Sequence, residues 1–357
     1  MAWPSHRLQD LLGIDVPLVQ APMAGANGSA MAIAVSEARG LGSLPAAMLS
    51  PEQLAAEITA IRTATSRPFN VNFFCHRQPD PDPALDEAWR ARLAPYYAEL
   101  GVAIDATSSG PGRGAFDETM CEVVEATRPP VVSFHFGLPA PPLVERVKAA
   151  GAVVMSSATT VAEARLLESS GCDVIIAQGL EAGGHRGLFL DDELNGQLPT
   201  FVLLPLVVDA VSVPVIAAGG IMDGRGIAAT LALGAAGAQL GTAYLFCPEA
   251  TISAAHRGAL QAPDPRTTIT NVITGRPARA IVNRVVRELG PLSETVPPFP
   301  RAVLPLLPLR AAAESRDSGD FSPLWAGQGV ALGRVLSAGE LTQQLVAETL
   351  ACLDTLA

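Results

Sequence analysis

The sequence lacks a surplus of positive charge. Its 35 Asp and Glu outnumber its 24 Lys and Arg, giving a formal net charge of −11 and a pI of about 4.9. A general nucleic-acid surface is basic, so that class is set aside. Small substrates are not constrained in this way, because the field inside a pocket is set locally. Cysteine is sparse as well: Cys75, Cys121, Cys172, Cys247 and Cys352. Their odd number and the lack of any C-x-x-C pair argue against a disulfide framework and a zinc site, and fit reduced thiols in the cytoplasm. The start, "MAWPSHRLQDLLG", has no basic region followed by an apolar core, so no secretory signal is expected. The most apolar long stretch, "FVLLPLVVDAVSVPVIAAGG", is interrupted by Pro205, Asp209 and Pro214. It reads as a helix followed by a buried strand, not as a membrane span.

What is present is apolar substance in quantity. Hydrophobic residues make up 49% of 357 residues and the mean hydropathy is +0.30, enough for one large α/β domain or two ordinary ones. Short apolar runs ending in glycine or polar residues recur: Pro17 to Ala24, Leu41 to Ala47, Phe69 to Phe74, Val131 to Phe136, Ala152 to Ala158, Asp173 to Gly179, Pro214 to Gly220 and Ala238 to Phe246. Being continuous and not alternating, they suit parallel strands covered by helices. Helical patterns lie between most of them. "SPEQLAAEITAIRTAT" carries Ser50 as N-cap, Pro51 at N1 and Gln53 near N3. Other patterns stop on Gly151, Gly171 and Gly234. About eight β-α units predict a TIM (β/α)8 barrel with a helical insertion and extension, ahead of a doubly wound sheet. The barrel is assigned to 1–246 plus 334–357, with helices inserted at about 75–130. Residues 247–333 form a helical and loop region expected over the mouth.

In a barrel the strand ends meet on one face, where functional groups gather. Gly219 and Gly220, followed by the helix "GRGIAATLALG", let N–H groups and a helix dipole face an anion. Gly241 and Thr242 on the next strand add a backbone donor and a hydroxyl. Both ends together point to a phosphate, as part of a cofactor. Asn72 and Gln178 each offer an amide with donors and acceptors, the mixture that a flavin ring edge needs; two amides bonded to backbone is the alternative. In "AQGLEAGGHRG", His185 follows Gly183-Gly184, where the chain can approach a flat ligand closely. A neutral imidazole there can take a proton from carbon. Glu181 is placed to orient the ring or to end a structural hydrogen bond, and Arg186 to hold an anion or pair with an acid. His135 in "SFHFG" shapes the pocket, and Met23 in "APMAG" sets its backbone or thioether against a ring or is an ordinary core residue. His6, His76 and His256 read as surface residues. Trp325 and Gln328 in "PLWAGQG" either close the pocket or form an anchor and a turn.

Taken in order, "PLVQAPMAG", "VVSFHFGLP", "AQGLEAGGHRG", "PVIAAGGIMDG", "GAQLGTAYLFCPEA" and "WAGQG" resemble the nitronate monooxygenases, formerly 2-nitropropane dioxygenases, in their class I branch. The resemblance spans nearly the whole chain. It implies a barrel with non-covalent FMN that oxidises alkyl nitronates, and in some members nitroalkanes, with O2 and no nicotinamide, to a carbonyl compound and nitrite. It implies His185 as catalytic base. The implied FMN contacts are Ala21, Pro22 and Met23, then Asn72 and Gln178, then Gly183 and Gly184. Gly219 and Gly220 follow, with the run Gln239, Leu240, Gly241 and Thr242. His135 and Phe299 are the implied substrate contacts; many relatives carry a tyrosine where Phe299 stands, which bears on substrate choice. The resemblance implies no metal and leaves oligomeric state open.

Three rivals stand beside this reading. NAD(P)H-dependent flavin reductases of the quinone or enoyl-acyl-carrier-protein type share "EAGGH", but Arg186 and Gln178 favour the nitronate branch. Inosine-monophosphate-dehydrogenase-like chemistry needs a cysteine in the loop after the sixth strand, and "GLEAGGHRG" has none. The third is a non-catalytic flavin-binding protein, since fold does not fix function.

Overall fold

The structure, a computed structural model, describes residues 3–103 and 114–356. Eight parallel strands form one sheet: β1 (Leu18–Gln20), β2 (Gly42–Pro45), β3 (Phe69–Phe74), β4 (Val131–His135), β5 (Val153–Ala158), β6 (Val174–Gln178), β8 (Val215–Ala218) and β9 (Gly237–Leu240), in the order β1-β9-β8-β6-β5-β4-β3-β2. A parallel bridge between Val19 and Leu41 joins the two ends of that order, and the sheet closes into the TIM barrel that the alternating pattern predicts.

Strand pleat explains why the runs are apolar throughout. In β6, Val174 and Ile176 belong to the cluster inside the barrel, while Ile175 and Ala177 belong to the cluster facing the helices. Both faces are buried, so every position is apolar. Each such side chain contributes about 1.5–3 kcal/mol of burial. Leu8 and Leu12 of the first helix, Arg7–Leu12, join the interior cluster. Nearer the strand ends the interior turns polar. Asn70 Nδ2 donates to Ser43 Oγ at 3.1 Å and Ser133 Oγ at 2.9 Å, and Gln20 Oε1 accepts from Ser43 N at 2.8 Å.

The helix Pro51–Ala64 has the expected capping box between Ser50 and Gln53. "FVLLPLVVDAVSVPVIAAGG" folds as helix Thr200–Val208 followed by β8. One strand was read too long: the run from Ala238 ends as a strand at Leu240, and Thr242–Leu245 is a short helix. No helix among the described residues is long and apolar enough to cross a membrane.

The inserted segment contributes helices Pro83–Leu100 and Glu118–Thr127; residues 104–113 of it lie outside the described residues. The first of these helices packs onto the 247–333 region, not onto the barrel wall. Trp89, Leu93 and Tyr97 share a separate core with Val286, Leu306 and Phe321, and Trp89 Nε1 donates to Ala302 O at 3.2 Å. A small antiparallel sheet links that region to the barrel: β10 (Thr267–Thr270), β11 (Ala278–Ile281) and β7 (Gly184–His185), with Ala278 opposite His185 and Arg279 opposite Gly184.

Candidate active site

A cavity of about 380 Å³ lies at the C-terminal ends of the barrel strands, a size typical of small-ligand sites. Ala21, Pro22 and Met23 line it after β1, Asn72 from β3, His135 from β4 and Gln178 from β6. Gly183, Gly184 and His185 form one side; Gly219, Gly220, Gln239, Gly241 and Thr242 form another. Leu240 points its side chain into the core and presents only backbone, with its carbonyl accepting from Ala21 N at 2.8 Å.

The β8 and β9 ends form a rim of donors. Among the described residues the N–H groups of Gly219, Gly220, Ile221, Gly241 and Thr242 have no protein acceptor. Thr242 Oγ1 accepts from Gly327 N at 2.8 Å, which leaves its proton for another acceptor. Gly220 has φ +72°, and a Cβ there would sit 3.2 Å from Glu181 Cβ, so both conformation and space require glycine. The dipole expectation is corrected in one respect: the following helix, Gly224–Ala232, is already capped by the Asp223 carboxylate, which accepts from Arg225 N and Gly226 N. An anion on this rim is held by the turn and not by that helix end. Gln239 adds a buried Oε1 with no partner, which such a side chain rarely tolerates unless a ligand or water meets it.

His185 is held from several sides. Its strand pairs with β11, and its Nε2 lies 2.9 Å from Thr274 Oγ1. The ring packs against Phe299 and Trp325 at centroid distances of 5.2 and 5.3 Å. Gln178 Nε2 donates to His185 O at 3.0 Å, and its Oε1 accepts from Gly187 N at 2.7 Å. Asn72 Nδ2 donates to Ser133 Oγ and O at 2.9 and 3.2 Å. Both amides thus face the cavity and are also bonded within the protein. A Cβ on Gly183 would lie 2.5 Å from Gly327 N, so this glycine lets the 326–327 segment seat directly on the turn.

His135 is enclosed except where it lines the cavity. Its Nδ1 is 2.5 Å from Ser157 Oγ and its Nε2 3.3 Å from His185 O. Burial, reinforced by the Arg276 charge, pushes its pKa down to about 3, so the ring is neutral. Two of the histidines read as surface residues are buried. His256 bonds Trp325 O through Nε2 at 3.0 Å and lines the cavity, its pKa pushed down to about 4 by burial. His76 packs at 4.7 Å from Phe299; His6 is exposed. Neutral buried histidines have a pH signature. From the ordinary value of 6.5 down to about 4, the unfolded chain takes up protons that the folded chain refuses. Stability present above that window is lost as pH falls, by up to about 1.4 kcal/mol per pH unit for each histidine. Urea midpoints at pH 7 and pH 5 check this: the decline becomes shallower in His256→Gln. An unchanged slope contradicts it.

One assignment around the turn is corrected, and a second is narrowed to one of its two alternatives. Arg186 binds no acid and faces no ligand: it is fully buried, and it donates to Gly179 O at 2.6 Å, Gln178 O at 2.8 Å and Gln197 Oε1 at 2.7 Å. The guanidinium fork ties the end of β6 to the following loop, because the carbonyls there have no ladder partner. Of the two alternatives for Glu181 the structural one holds: its carboxylate accepts from Thr200 N and Oγ1 at 2.8 and 2.9 Å and does not orient the histidine ring. Arg186→Leu is expected to cost about 3 kcal/mol by orphaning two buried acceptors, Gln178 O and Gln197 Oε1, while Gly179 O keeps its bond from Ala182 N. Urea denaturation measures it, and a loss below about 1 kcal/mol runs against this role.

Phe299 is buried among Ala47, Phe74 and Phe136, behind His185 and outside the cavity wall. Trp325 is part of the wall, whereas Gln328 is exposed and serves the loop, its N–H bonding Glu181 O at 2.9 Å. Sequence reading missed Thr274, Ser157 and Arg276, which meet the histidines from distant segments and sit in no recognisable pattern. No group of metal-ligating residues occurs among the described residues.

Comparison with known proteins follows the same line. The family model described as nitronate monooxygenase matches residues 5–348. A nitronate monooxygenase of Pseudomonas aeruginosa is 43% identical over 347 residues, covering 96% of this chain and 99% of that protein. One from Paraburkholderia phytofirmans is 44% identical over 345 residues, covering 96% and 94%. The crystal structure of nitroalkane oxidase from Streptomyces ansochromogenes superposes with a TM-score of 0.90 at 40% identity, covering 98% of this chain and all of that one.

Proposed function

The chain belongs to the nitronate monooxygenase family, and from that premise we propose that it oxidises alkyl nitronates with O2 through a bound FMN, and neutral nitroalkanes by way of His185 as base. The observation that carries this reading is the meeting, in one cavity, of a rim of unpaired backbone donors with an imidazole held by Thr274.

The residues present suit FMN. The N–H groups of Gly219, Gly220 and Ile221, with Gly241 and Thr242, form a cradle for its phosphate. The orphaned Gln239 Oε1, the Asn72 amide and Met23 line the same cavity and would hold the polar edge and the face of its ring system. When bound, the flavin supplies the electron acceptor for the nitro compound and the link to O2.

The rest falls to the chain's own side chains. His185 accepts the α-proton of a neutral nitroalkane, and Gln178 and the β11 ladder keep its backbone in place. A nitronate is already anionic and needs no base. The positive field of Arg276 and Arg186, which helps keep His135 neutral, favours such an anion at the same wall. The barrel, 1–246 with 334–357, holds the cofactor, and 247–333 covers the mouth and supplies Thr274 and Trp325. The reaction takes place in the cytoplasm. Aerobic incubation with an alkyl nitronate tests this: nitrite and the matching carbonyl compound accumulate together. Oxygen uptake without nitrite would refute the assignment.

A further inference from the structure

One short segment of the region over the mouth, Thr274 to Ala278, runs beside His185. Asn271 O accepts from Gly275 N at 2.8 Å and closes the turn from which this segment leaves. Pro277 O accepts from Arg186 N at 2.8 Å, and Ala278 stands opposite His185 in the β7–β11 pairing. Backbone contacts thus fix the segment against the turn that carries the imidazole. Through its side chain Thr274 also reaches the ring, its Oγ1 lying 2.9 Å from His185 Nε2.

The hydroxyl has little choice of role. Thr274 is fully buried, so bulk water does not complete its bonding. Besides meeting Nε2, its Oγ1 donates to Arg276 O, a long contact of 3.5 Å. That carbonyl has no other donor among the described residues. A carbonyl only accepts, and a hydroxyl has one proton to give. With that proton on Arg276 O, the bond at 2.9 Å needs its donor on the other side, which is His185 Nε2–H. The reverse arrangement, hydroxyl to Nε2, would leave Arg276 O without a protein donor, an outcome that folded chains avoid. A neutral imidazole with its proton on Nε2 is basic at Nδ1.

We propose that Thr274 is a positioning residue: it holds His185 as the Nε2–H tautomer and so makes Nδ1 the atom that takes the α-proton of a nitroalkane. The proposal rests on the nitronate and nitroalkane reading above. In the step, the C–H bond breaks, its electron pair passes into the nitro group to give the nitronate, and an N–H bond forms at Nδ1. The resulting imidazolium spreads its charge over both nitrogens, and the bond from Nε2–H to Thr274 strengthens as that charge appears. Stabilisation that grows with the charge lowers the barrier. A neutral hydroxyl gives less than a carboxylate in the same place, so the expected effect is modest.

Two readouts test it, both on the flavin-loaded full chain. The first is proton–nitrogen correlation spectra with isotope-labelled histidine, at a pH where the ring is neutral; the His185 signals are those missing from His185→Asn. The wild type is expected to show a protonated Nε2 and an unprotonated Nδ1, and Thr274→Val to lose that preference. The second is parallel assay of nitroethane and ethylnitronate. Thr274→Val lowers kcat/KM for the nitroalkane about tenfold, as loss of one hydrogen bond to a charged group does, and lowers it far less for the nitronate. Thr274→Ser keeps the hydroxyl and restores both the tautomer and most of the rate. A protonated Nδ1 in the wild type overturns the proposal. So does an undiminished nitroalkane rate in Thr274→Val, or an equal loss on both substrates, which a packing role alone would produce. A failure of the functional reading is distinguishable: no nitro compound is turned over at all. In that event the spectra decide the role of Thr274 alone. The Nε2–H form in the wild type and its loss in Thr274→Val support it, and identical spectra overturn it. The wild-type spectrum needs no Thr274 variant, so it still decides if Thr274→Val fails to fold.

Discussion

Replacing His185 by Asn is expected to lower kcat/KM for a neutral nitroalkane by about 10²–10⁴-fold, the usual span for a positioned general base, and to lower it far less for the corresponding nitronate. The reasoning is chemical. A nitroalkane must lose its α-proton before it can be oxidised, whereas a nitronate has already lost it. Asn is too short to reach Thr274 Oγ1, which His185 Nε2 meets at 2.9 Å, but the β7–β11 pairing is made by backbone groups and is retained. Parallel steady-state assays with nitroethane and ethylnitronate separate the two roles. An equal loss on both substrates would mean that His185 binds and does not abstract, and an undiminished nitroalkane rate would remove it from the chemistry altogether.

Gly220→Asp should give a protein that folds but purifies with little or no flavin. Three effects act together. The residue sits at φ +72°, a conformation that costs a side chain about 1–2 kcal/mol. Its Cβ would press against Glu181 at 3.2 Å. Its carboxylate would enter the rim of unpaired N–H groups and occupy the place of a phosphate with like charge. We expect the FMN Kd to rise at least about 100-fold, or about 2.8 kcal/mol. Gly220→Ala carries the strain without the charge and should retain intermediate affinity. Flavin content and fluorescence titration report both, with far-UV circular dichroism as the check on folding. Stoichiometric yellow Gly220→Asp protein would place the phosphate elsewhere.

The barrel was legible because its physics is local. A run such as "DVIIAQG" is apolar at every position only if both faces are covered, and Ser50 and Gln53 mark a helix start whatever lies around them. The glycines of "AAGG" were legible for the same reason. What eluded sequence reading depends on partners far along the chain. β7 is only Gly184–His185, too short for any periodic signal, and it exists because β11 lies beside it. Arg186 looked like a handle for anions because charged residues are seldom fully buried; its acceptors are carbonyls and an amide, which carry no mark in sequence. His256 and His76 looked exposed for a similar reason, since burial of a lone histidine depends on the tertiary neighbours that enclose it. Glu181, four residues before His185, lies close in sequence, yet the intervening glycines turn the chain so that the acid serves Thr200 instead. The strand from Ala238 was overextended because "TAYLF" is as apolar as a strand, and only the Gly241 corner converts it to a helix.

The most direct test of the whole account is anaerobic mixing of the flavin-loaded protein with an alkyl nitronate, and separately with NADH and NADPH, while the flavin spectrum is followed. The account predicts that the nitronate changes the spectrum at a rate no slower than aerobic turnover and that neither nucleotide does. Bleaching by a nucleotide, with no response to nitronate, would contradict it and make the same cavity the site of a reductase.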